Sequence, residues 1–171
     1  MKLTEEVILV NEQDEPIGVM EKLEAHQKGL LHRAFSVFIF NANGELLLQQ
    51  RALTKYHSPG LWTNTCCSHP RQGEENLDAA HRRLREEMGF DCDLFYEGFF
   101  IYKVQFENGL FEHELDHLFI GIFNGMPKLN SNEVAACRWV GMDDLKEEVK
   151  QHPDRFTYWV RLILQQNNFH L

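Results

Sequence analysis

The chain has 171 residues, of which 43% are hydrophobic and 25% are charged. These values exclude an intrinsically disordered chain, and we expect residues 1–171 to form a single domain. The formal net charge of −9 argues against a nucleic-acid partner, because binding to a phosphate backbone requires a basic surface. A small anionic substrate stays compatible with this charge, since a few local Lys and Arg can outweigh it.

The chain shows no targeting or membrane signal. Residues 1–6 lack the apolar stretch of a secretory signal, and no apolar run approaches the ~20 residues that cross a bilayer. The four cysteines form no CxxC pair and no pattern typical of secreted disulfides. We therefore expect a cytoplasmic protein with reduced thiols and no membrane partner.

In chain order, the first half of the chain is predicted to consist mainly of strands. A turn at residues 14–18 separates the first strand from its return strand, and Asn43-Gly44 is a strong hairpin signal. The predicted strands cover residues 7–10, a return to about residue 22, 33–40, 45–51 and 61–67. Two polar segments, 25–31 and 52–60, are predicted to be irregular.

The second half is predicted to combine a long hairpin with three helices. The helices cover residues 76–88, 142–151 and 156–167, and the strands cover residues 95–106, 110–123 and 137–140. Gly89 is expected to end the first of these helices. The apolar stripe of that helix is predicted to contain Leu77, Ala80, Leu84 and Met88. Together these elements indicate an α+β fold, a mixed sheet with helices packed against it.

The segment from Ser68 to Phe90 resembles the Nudix box. Five residues separate Ser68 from Glu74, seven more precede residue 82, and residues 82–90 then read RRLREEMGF. Nudix hydrolases hold Mg²⁺ against a diphosphate with three acids on one helix face. Here Ser68 replaces the opening glycine and Arg83 replaces the first acid of the trio. An Arg83–Glu87 pair on a solvated helix is the alternative, but the register of the whole segment favours an altered phosphate-binding helix.

A second candidate site lies in the run TNTCCSHP at residues 63–70. His69 follows Cys67 by two residues, so the two would share a face in an extended chain. A cationic or metal-rich neighbourhood of this kind stabilises a thiolate. Cys66 would point to the opposite face, and the residues alone do not choose between the two thiols. A buried structural thiol is the usual state of an intracellular cysteine and is the alternative.

Two carboxylates form a third candidate site. Glu112 and Glu114 stand two residues apart in a predicted strand, so both project from one face, which Asp116 continues. Such a pair can bind a metal ion, or the two groups can raise each other's pKa for acid–base work. The polar face of an edge strand is the competing interpretation. Each of the nine histidines, taken singly, is expected to be a surface or core residue, so a histidine metal site would have to be assembled from distant parts of the chain.

Cys67-Ser68-His69-Pro70, Glu112-His113-Glu114, the altered Nudix box and Trp159 together resemble type I isopentenyl-diphosphate isomerases. The resemblance extends over residues 7–159. It implies a Nudix-like fold and the interconversion of isopentenyl diphosphate and dimethylallyl diphosphate in isoprenoid biosynthesis. The reaction would be a 1,3 proton shift through a carbocation-like state. A small diphosphate would be the binding partner, and we expect a monomer or a weak dimer.

The resemblance also implies roles for individual residues. One divalent ion (Mn²⁺, Mg²⁺ or Zn²⁺) would be bound by imidazoles and carboxylates: His26, His32, His69, Glu112 and Glu114. A second ion, Mg²⁺, would be held by Glu87 and bridge to the diphosphate. Cys67 and Glu114 would transfer protons on opposite faces of the alkene. Tyr102 would hydrogen-bond beside Glu114, and Trp159 would lie near the developing cation. The diphosphate would be clamped by four basic residues: Lys22, Arg51, Lys55 and Arg83.

Two other functions fit parts of the sequence. A Nudix hydrolase would share the fold and the need for Mg²⁺, but it is expected to keep the full acid cluster that Arg83 interrupts. A non-catalytic Nudix-fold binding module with a structural zinc would leave the pairing of Cys67 with Glu114 without a purpose.

Overall fold

The computed structural model describes residues 5–166, which form nine strands and four α-helices. The strands are β1 (Glu6–Val10), β2 (Pro16–Glu21), β3 (His32–Phe40), β4 (Glu45–Arg51), β5 (Trp62–Thr63), β6 (Cys66–Ser68), β7 (Leu94–Gln105), β8 (Phe111–Ile122) and β9 (Val134–Gly141). The helices are α1 (Lys22–Lys28), α2 (Asn76–Met88), α3 (Met142–Gln151) and α4 (Tyr158–Gln165). Within residues 5–166, no helix is both long enough and apolar enough to span a bilayer.

Strand β3 brings the predicted site residues together. It pairs in parallel with β8, where His32 lies opposite Glu114, and antiparallel with β6, where Ser36 lies opposite Cys67. The β7–β8 hairpin places Tyr102 opposite Glu114. The remaining strands extend the sheet through pairings of β1 with β2 and β3, and of β4 with β3, β5 and β9. The thiol and the carboxylate pair therefore stand on strands that flank β3.

The sheet is covered by helices on both faces. Phe35 and Val37 of β3 pack in one cluster with residues of α2, whereas Phe38 of the same strand packs in a second cluster with residues of α3 and α4. This alternation is that of a strand buried on both sides. The mixed sheet flanked by helices confirms the predicted α+β fold.

Residues 25–31 were predicted to be irregular, but residues 25–28 belong to helix α1, so that prediction was wrong for them. Helix α1 begins after Glu21, whose carboxylate accepts hydrogen bonds from the backbone N–H groups of Leu23 and Glu24 at 3.0 and 2.8 Å. It ends at Gly29, which adopts a left-handed conformation with φ of 65°. The helix lies at the cavity described below and carries Lys22 and His26.

The predicted strand at residues 61–67 is interrupted. Asn64 donates side-chain hydrogen bonds to the carbonyls of Val37 and Cys66, each at 3.0 Å, and Thr65 donates one to the carbonyl of Leu47 at 2.6 Å. These side chains take the place of ladder hydrogen bonds, so β5 and β6 are separate. The predicted helix 156–167 begins at Tyr158 and ends at Gln165, and its predicted last residue lies outside the described residues.

Candidate active site

A cavity of about 180 Å³ lies where β3, β6 and β8 meet α2 and the loop at residues 52–61. Most of the predicted site residues line it: Lys22, Arg51, Lys55, Cys67, His69, Arg83, Glu87, Glu112, Glu114 and Trp159. The other three contact the lining from behind. His26 and His32 approach Glu112 and Glu114 at 3.9 and 3.4 Å, and Tyr102 hydrogen-bonds to both carboxylates.

One group of potential metal ligands has an atom from each residue within 4.8 Å of every other: His26, His32, His69 and Glu114. The Nδ1 atoms of His26 and His32 lie 2.7 and 2.9 Å from the carbonyls of Lys22 and Leu30. Because a carbonyl only accepts, each Nδ1–H donates, which leaves the Nε2 lone pairs free. Both Nε2 atoms are buried without a hydrogen-bond partner. Such atoms are costly unless something binds them, so this donor set fits a divalent cation.

A second group of potential ligands shares His26 with the first and adds Glu112 and His57. His57 was not predicted as a site residue. Its Nε2 lies 3.2 Å from Oε1 of Glu112, and its buried Nδ1 has no hydrogen-bond partner. Burial and, next, the charge of Arg51 lower the pKa of His57 to about 2, so this ring is a neutral nitrogen donor.

The carboxylates of Glu112 and Glu114 share one hydrogen-bond partner. The Tyr102 hydroxyl lies 2.7 Å from Oε2 of Glu112 and 2.8 Å from Oε2 of Glu114. Burial and the neighbouring charge of Glu114 raise the pKa of Glu112 well above its usual range. Burial also opposes ionisation of Glu114, but the neighbouring imidazoles of His32 and His69 outweigh it and hold its pKa well below the usual range. The pKa values of the two carboxyl groups are therefore shifted in opposite directions.

The Cys67 thiol has four polar neighbours, of which the Thr63 hydroxyl is the farthest at 3.9 Å. The thiol donates to Oδ1 of Asn64 at 2.9 Å and accepts from the indole N–H of Trp159 at 3.1 Å, with the Ser36 hydroxyl at 3.7 Å. Burial, reinforced by the charge of Asp116, raises the pKa of Cys67 to about 12. This sulfur is a thiol at neutral pH. Cys66 points into the core cluster beneath α2 and is fully buried, as expected for neighbours in a strand.

Four basic residues line the cavity: Lys22, Arg51, Lys55 and Arg83. Three of them form ion pairs: Arg83 with Glu87, Lys55 with Glu133, and Lys22 with Glu5. The Arg51 guanidinium lies 5.3 Å from the ring of Trp159. The Arg83 and Glu87 side chains are only 17% and 5% exposed, so the alternative of a solvated helix pair is wrong. An anion that enters the cavity can replace these carboxylates as the ion-pair partner of the basic residues.

Comparisons with known proteins show the family of this chain. Residues 30–160 match the family model of the NUDIX domain. The isopentenyl-diphosphate Delta-isomerase of Pectobacterium atrosepticum is 53% identical over 162 residues, which cover 95% of this chain and 90% of that protein. The chain belongs to the isopentenyl-diphosphate Delta-isomerase family. Isopentenyl-diphosphate Delta-isomerase 2 of Aromatoleum aromaticum is 49% identical, with 95% and 86% of the two chains covered.

Solved structures agree on the fold of this isopentenyl-diphosphate Delta-isomerase family member. A structure from Deinococcus radiodurans superposes with a TM-score of 0.79 at 18% identity and covers 94% of this chain and 98% of that one. The MutT protein of Methanosarcina mazei superposes with a TM-score of 0.66 at 17% identity, covering 79% and 91%. At this identity the likeness concerns the fold alone, and it confirms the Nudix-like fold.

Besides His57, three polar residues that contact the candidate site residues were not predicted from sequence. Ser36 and Asn64 hold the Cys67 sulfur, and Gln49 donates a hydrogen bond to Glu87 at 2.8 Å. Their strands were predicted, but which strands become neighbours depends on pairing that no local pattern encodes. Asp116, which continues the acidic face, is buried and accepts a hydrogen bond from Ser36 at 2.7 Å.

Proposed function

We propose that this chain interconverts isopentenyl diphosphate and dimethylallyl diphosphate by a 1,3 proton shift, with Cys67 and Glu114 as the proton-transfer pair. Membership of the isopentenyl-diphosphate Delta-isomerase family supports the assignment of this reaction. One observation supports the residue assignment most strongly: a thiol and a carboxylate reach the same cavity from strands on either side of β3.

The reaction needs an acid and a base at the two ends of an allylic system. An unactivated alkene is a poor base, so the proton donor must be held against the terminal carbon while a second group removes a proton at the other end. In this site Cys67 keeps its proton and Glu114 is ionised. The two groups therefore stand in complementary protonation states, which a proton shift through the substrate exchanges.

Trp159 is assigned to the developing cation. Its side chain is 3% exposed, and its indole N–H holds the Cys67 sulfur, so the ring is fixed beside the reacting groups. An indole face stabilises a desolvated cation by about 2 kcal/mol or more. A buried site also keeps out water, which would otherwise trap a tertiary cation as an alcohol.

The diphosphate is assigned to the basic residues: Lys22, Arg51, Lys55 and Arg83. Arg83 stands where the Nudix box carries an acid, and a guanidinium matches phosphate oxygens in a bidentate way. Glu87, held by Gln49 and Arg83, would bind Mg²⁺ that bridges to the diphosphate. This end of the site would hold a diphosphate without the acid cluster of the hydrolases.

His26, His32, His69, Glu112 and Glu114 would hold one divalent ion, Mn²⁺, Mg²⁺ or Zn²⁺. Such an ion supplies positive charge that fixes the carboxylates and adjusts the acidity of Glu114. The Tyr102 hydroxyl hydrogen-bonds to both carboxylates. We also assign the chain a cytoplasmic location. We further assign it a monomeric or weakly dimeric state, and light scattering of the purified protein tests that state.

Proton NMR of isopentenyl diphosphate with the protein and Mg²⁺ in D₂O tests the activity. We expect dimethylallyl diphosphate to appear with deuterium in the carbon skeleton. Release of inorganic phosphate or a monophosphate from an unchanged alkene would instead indicate a Nudix hydrolase. Zinc binding without turnover of the diphosphate under reducing conditions would indicate a binding module.

A further inference from the structure

His57 is a loop residue that the fold places inside the site. It lies between β4 and β5, is 7% exposed, and lines the cavity. Its ring stacks at 5.7 Å on that of His26 and at 5.8 Å on that of Phe106, and it meets Trp159 edge-on at 5.9 Å. Rings on several sides fix the imidazole, so its nitrogen atoms point to defined places.

His57 belongs to the same group of potential ligands as Glu112. Glu112 joins the proposed ion only through the second ligand group, in which it, His26 and His57 each have an atom within 4.8 Å of the others. Atoms bound to one ion at 2.0–2.2 Å lie up to about 4.4 Å apart. Movements of a few tenths of an ångström would therefore let this group share one ion. The contact of 3.2 Å between Nε2 of His57 and Oε1 of Glu112 is in the range of neighbouring ligands on one ion.

We propose that His57 is a further ligand of the divalent ion in the His/Glu site, which then has four imidazoles and two carboxylates. This inference rests on the metal centre of the proposed function and extends its donor set. Imidazole nitrogen suits zinc and other transition metals, whereas Mg²⁺ prefers oxygen. His57 therefore directs the site towards a transition metal and away from Mg²⁺.

Zinc K-edge X-ray absorption of the zinc-loaded protein tests this ligand directly, because imidazole rings give a countable scattering signature. The full chain is compared with His57→Phe, which keeps an aromatic ring against Phe106, and with His57→Gln as a second variant. His81→Asn is the control, since His81 pairs with Asp91 on the surface of α2, outside the cavity. Zinc content and zinc affinity are measured on the same samples by competition with a chromogenic chelator, with and without Mg²⁺.

We expect four imidazoles in the wild type and the control, and three in both His57 variants, each with one zinc per chain. Zinc affinity should fall by about 10–100-fold in the variants, and Mg²⁺ should compete better in them than in the wild type. Three imidazoles in the wild type, with isomerase activity intact by NMR, would overturn the inference and leave the metal centre in place. A fall in zinc affinity with an unchanged imidazole count in the variants would also overturn the inference. His57 would then affect the ion only through its contact with Glu112 and would not be a ligand. Failure of the wild type to bind zinc would overturn the centre itself.

Discussion

The two ends of the cavity are built in different ways. At the metal end, His26 and His32 are fully buried and donate to backbone carbonyls, and Tyr102 bridges both carboxylates. At the diphosphate end, the cations sit on long side chains. Two of their acidic partners are partly or largely exposed, Glu5 at 59% and Glu133 at 26%, whereas Glu87, the partner of Arg83, is 5% exposed.

This difference matches the two tasks. A proton transfer depends on donor and acceptor positions to within a fraction of an ångström, so those groups are fixed to strands and backbone. A diphosphate needs neutralising charge, and flexible ion pairs can reorganise around it. We therefore expect small changes of shape at the metal end to lower kcat, and changes of charge at the other end to raise KM.

The largest effect is expected at the thiol. Cys67→Ala removes one member of the proton-transfer pair, so kcat should fall by about 10²–10⁴-fold, with the fold unchanged by circular dichroism. The adjacent Cys66→Ala is the matched control. Cys66 packs in the core, so its substitution should lower the Tm and keep most of the turnover. Turnover near the wild-type value in Cys67→Ala would exclude the thiol from the chemistry.

A charge change at the diphosphate end should act on binding. Arg83→Gln removes a half-buried cation from the cavity, and the loss of charge-assisted hydrogen bonds should raise KM by about 10–100-fold with a smaller change in kcat. Arg85→Gln, on the same helix but paired with Asp91 at the surface, is the control. Steady-state kinetics at saturating Mg²⁺ decide, and a loss confined to kcat would contradict the assignment.

A change of one hydroxyl at the metal end should act on turnover. Tyr102→Phe keeps the ring but removes the partner of both carboxylates, so we expect kcat to fall by about 10-fold or somewhat more with KM nearly unchanged. Tyr96→Phe, which removes a hydroxyl bonded to His117 away from the cavity, should leave both constants as they are. Equal effects of Tyr102→Phe and Tyr96→Phe on kcat would contradict a specific role of the Tyr102 hydroxyl in turnover.

The sequence predicted the strand-borne part of the site better than the loop-borne part. Glu112 and Glu114 share a face because strand spacing requires it, and the register of Ser68 to Phe90 predicted α2 with its end at Gly89. Helix α1 was missed because it has only seven residues and is capped by a glutamate rather than by Ser, Thr, Asp or Asn. Leu77 fits the helical spacing but is 41% exposed, so its assignment to the apolar stripe of α2 was wrong.

His57 shows where local patterns stop being informative. It lies two residues after Lys55, a predicted clamp residue, and that proximity was the one available signal. His57 and Glu112 are 55 positions apart in the sequence. They come into contact only because the loop at residues 52–61 packs on the β7–β8 hairpin. Contacts of this kind depend on tertiary structure, as do those of Asn64 with Val37.

A buried histidine outside the cavity, His117, should give the smallest effect, on stability alone. Burial lowers the pKa of His117 despite its contact with Asp14, whereas the unfolded chain takes up the proton near pH ~6.5. The unfolded state therefore binds more protons below that pH, and the free energy of unfolding should fall as the pH falls. Urea unfolding should show a shallower fall for His117→Gln than for wild type, with exposed His152→Gln unchanged. Equal slopes for all three would contradict this account.

The most direct test of the proton-transfer pair is covalent labelling with an epoxide analogue of isopentenyl diphosphate, mapped by peptide mass spectrometry. An epoxide that is protonated in the site becomes an electrophile beside the groups that handle the proton. We predict one adduct per chain, at Cys67 or Glu114, and protection by dimethylallyl diphosphate. Labelling at Cys66, or at any residue outside the cavity, would contradict the assignment.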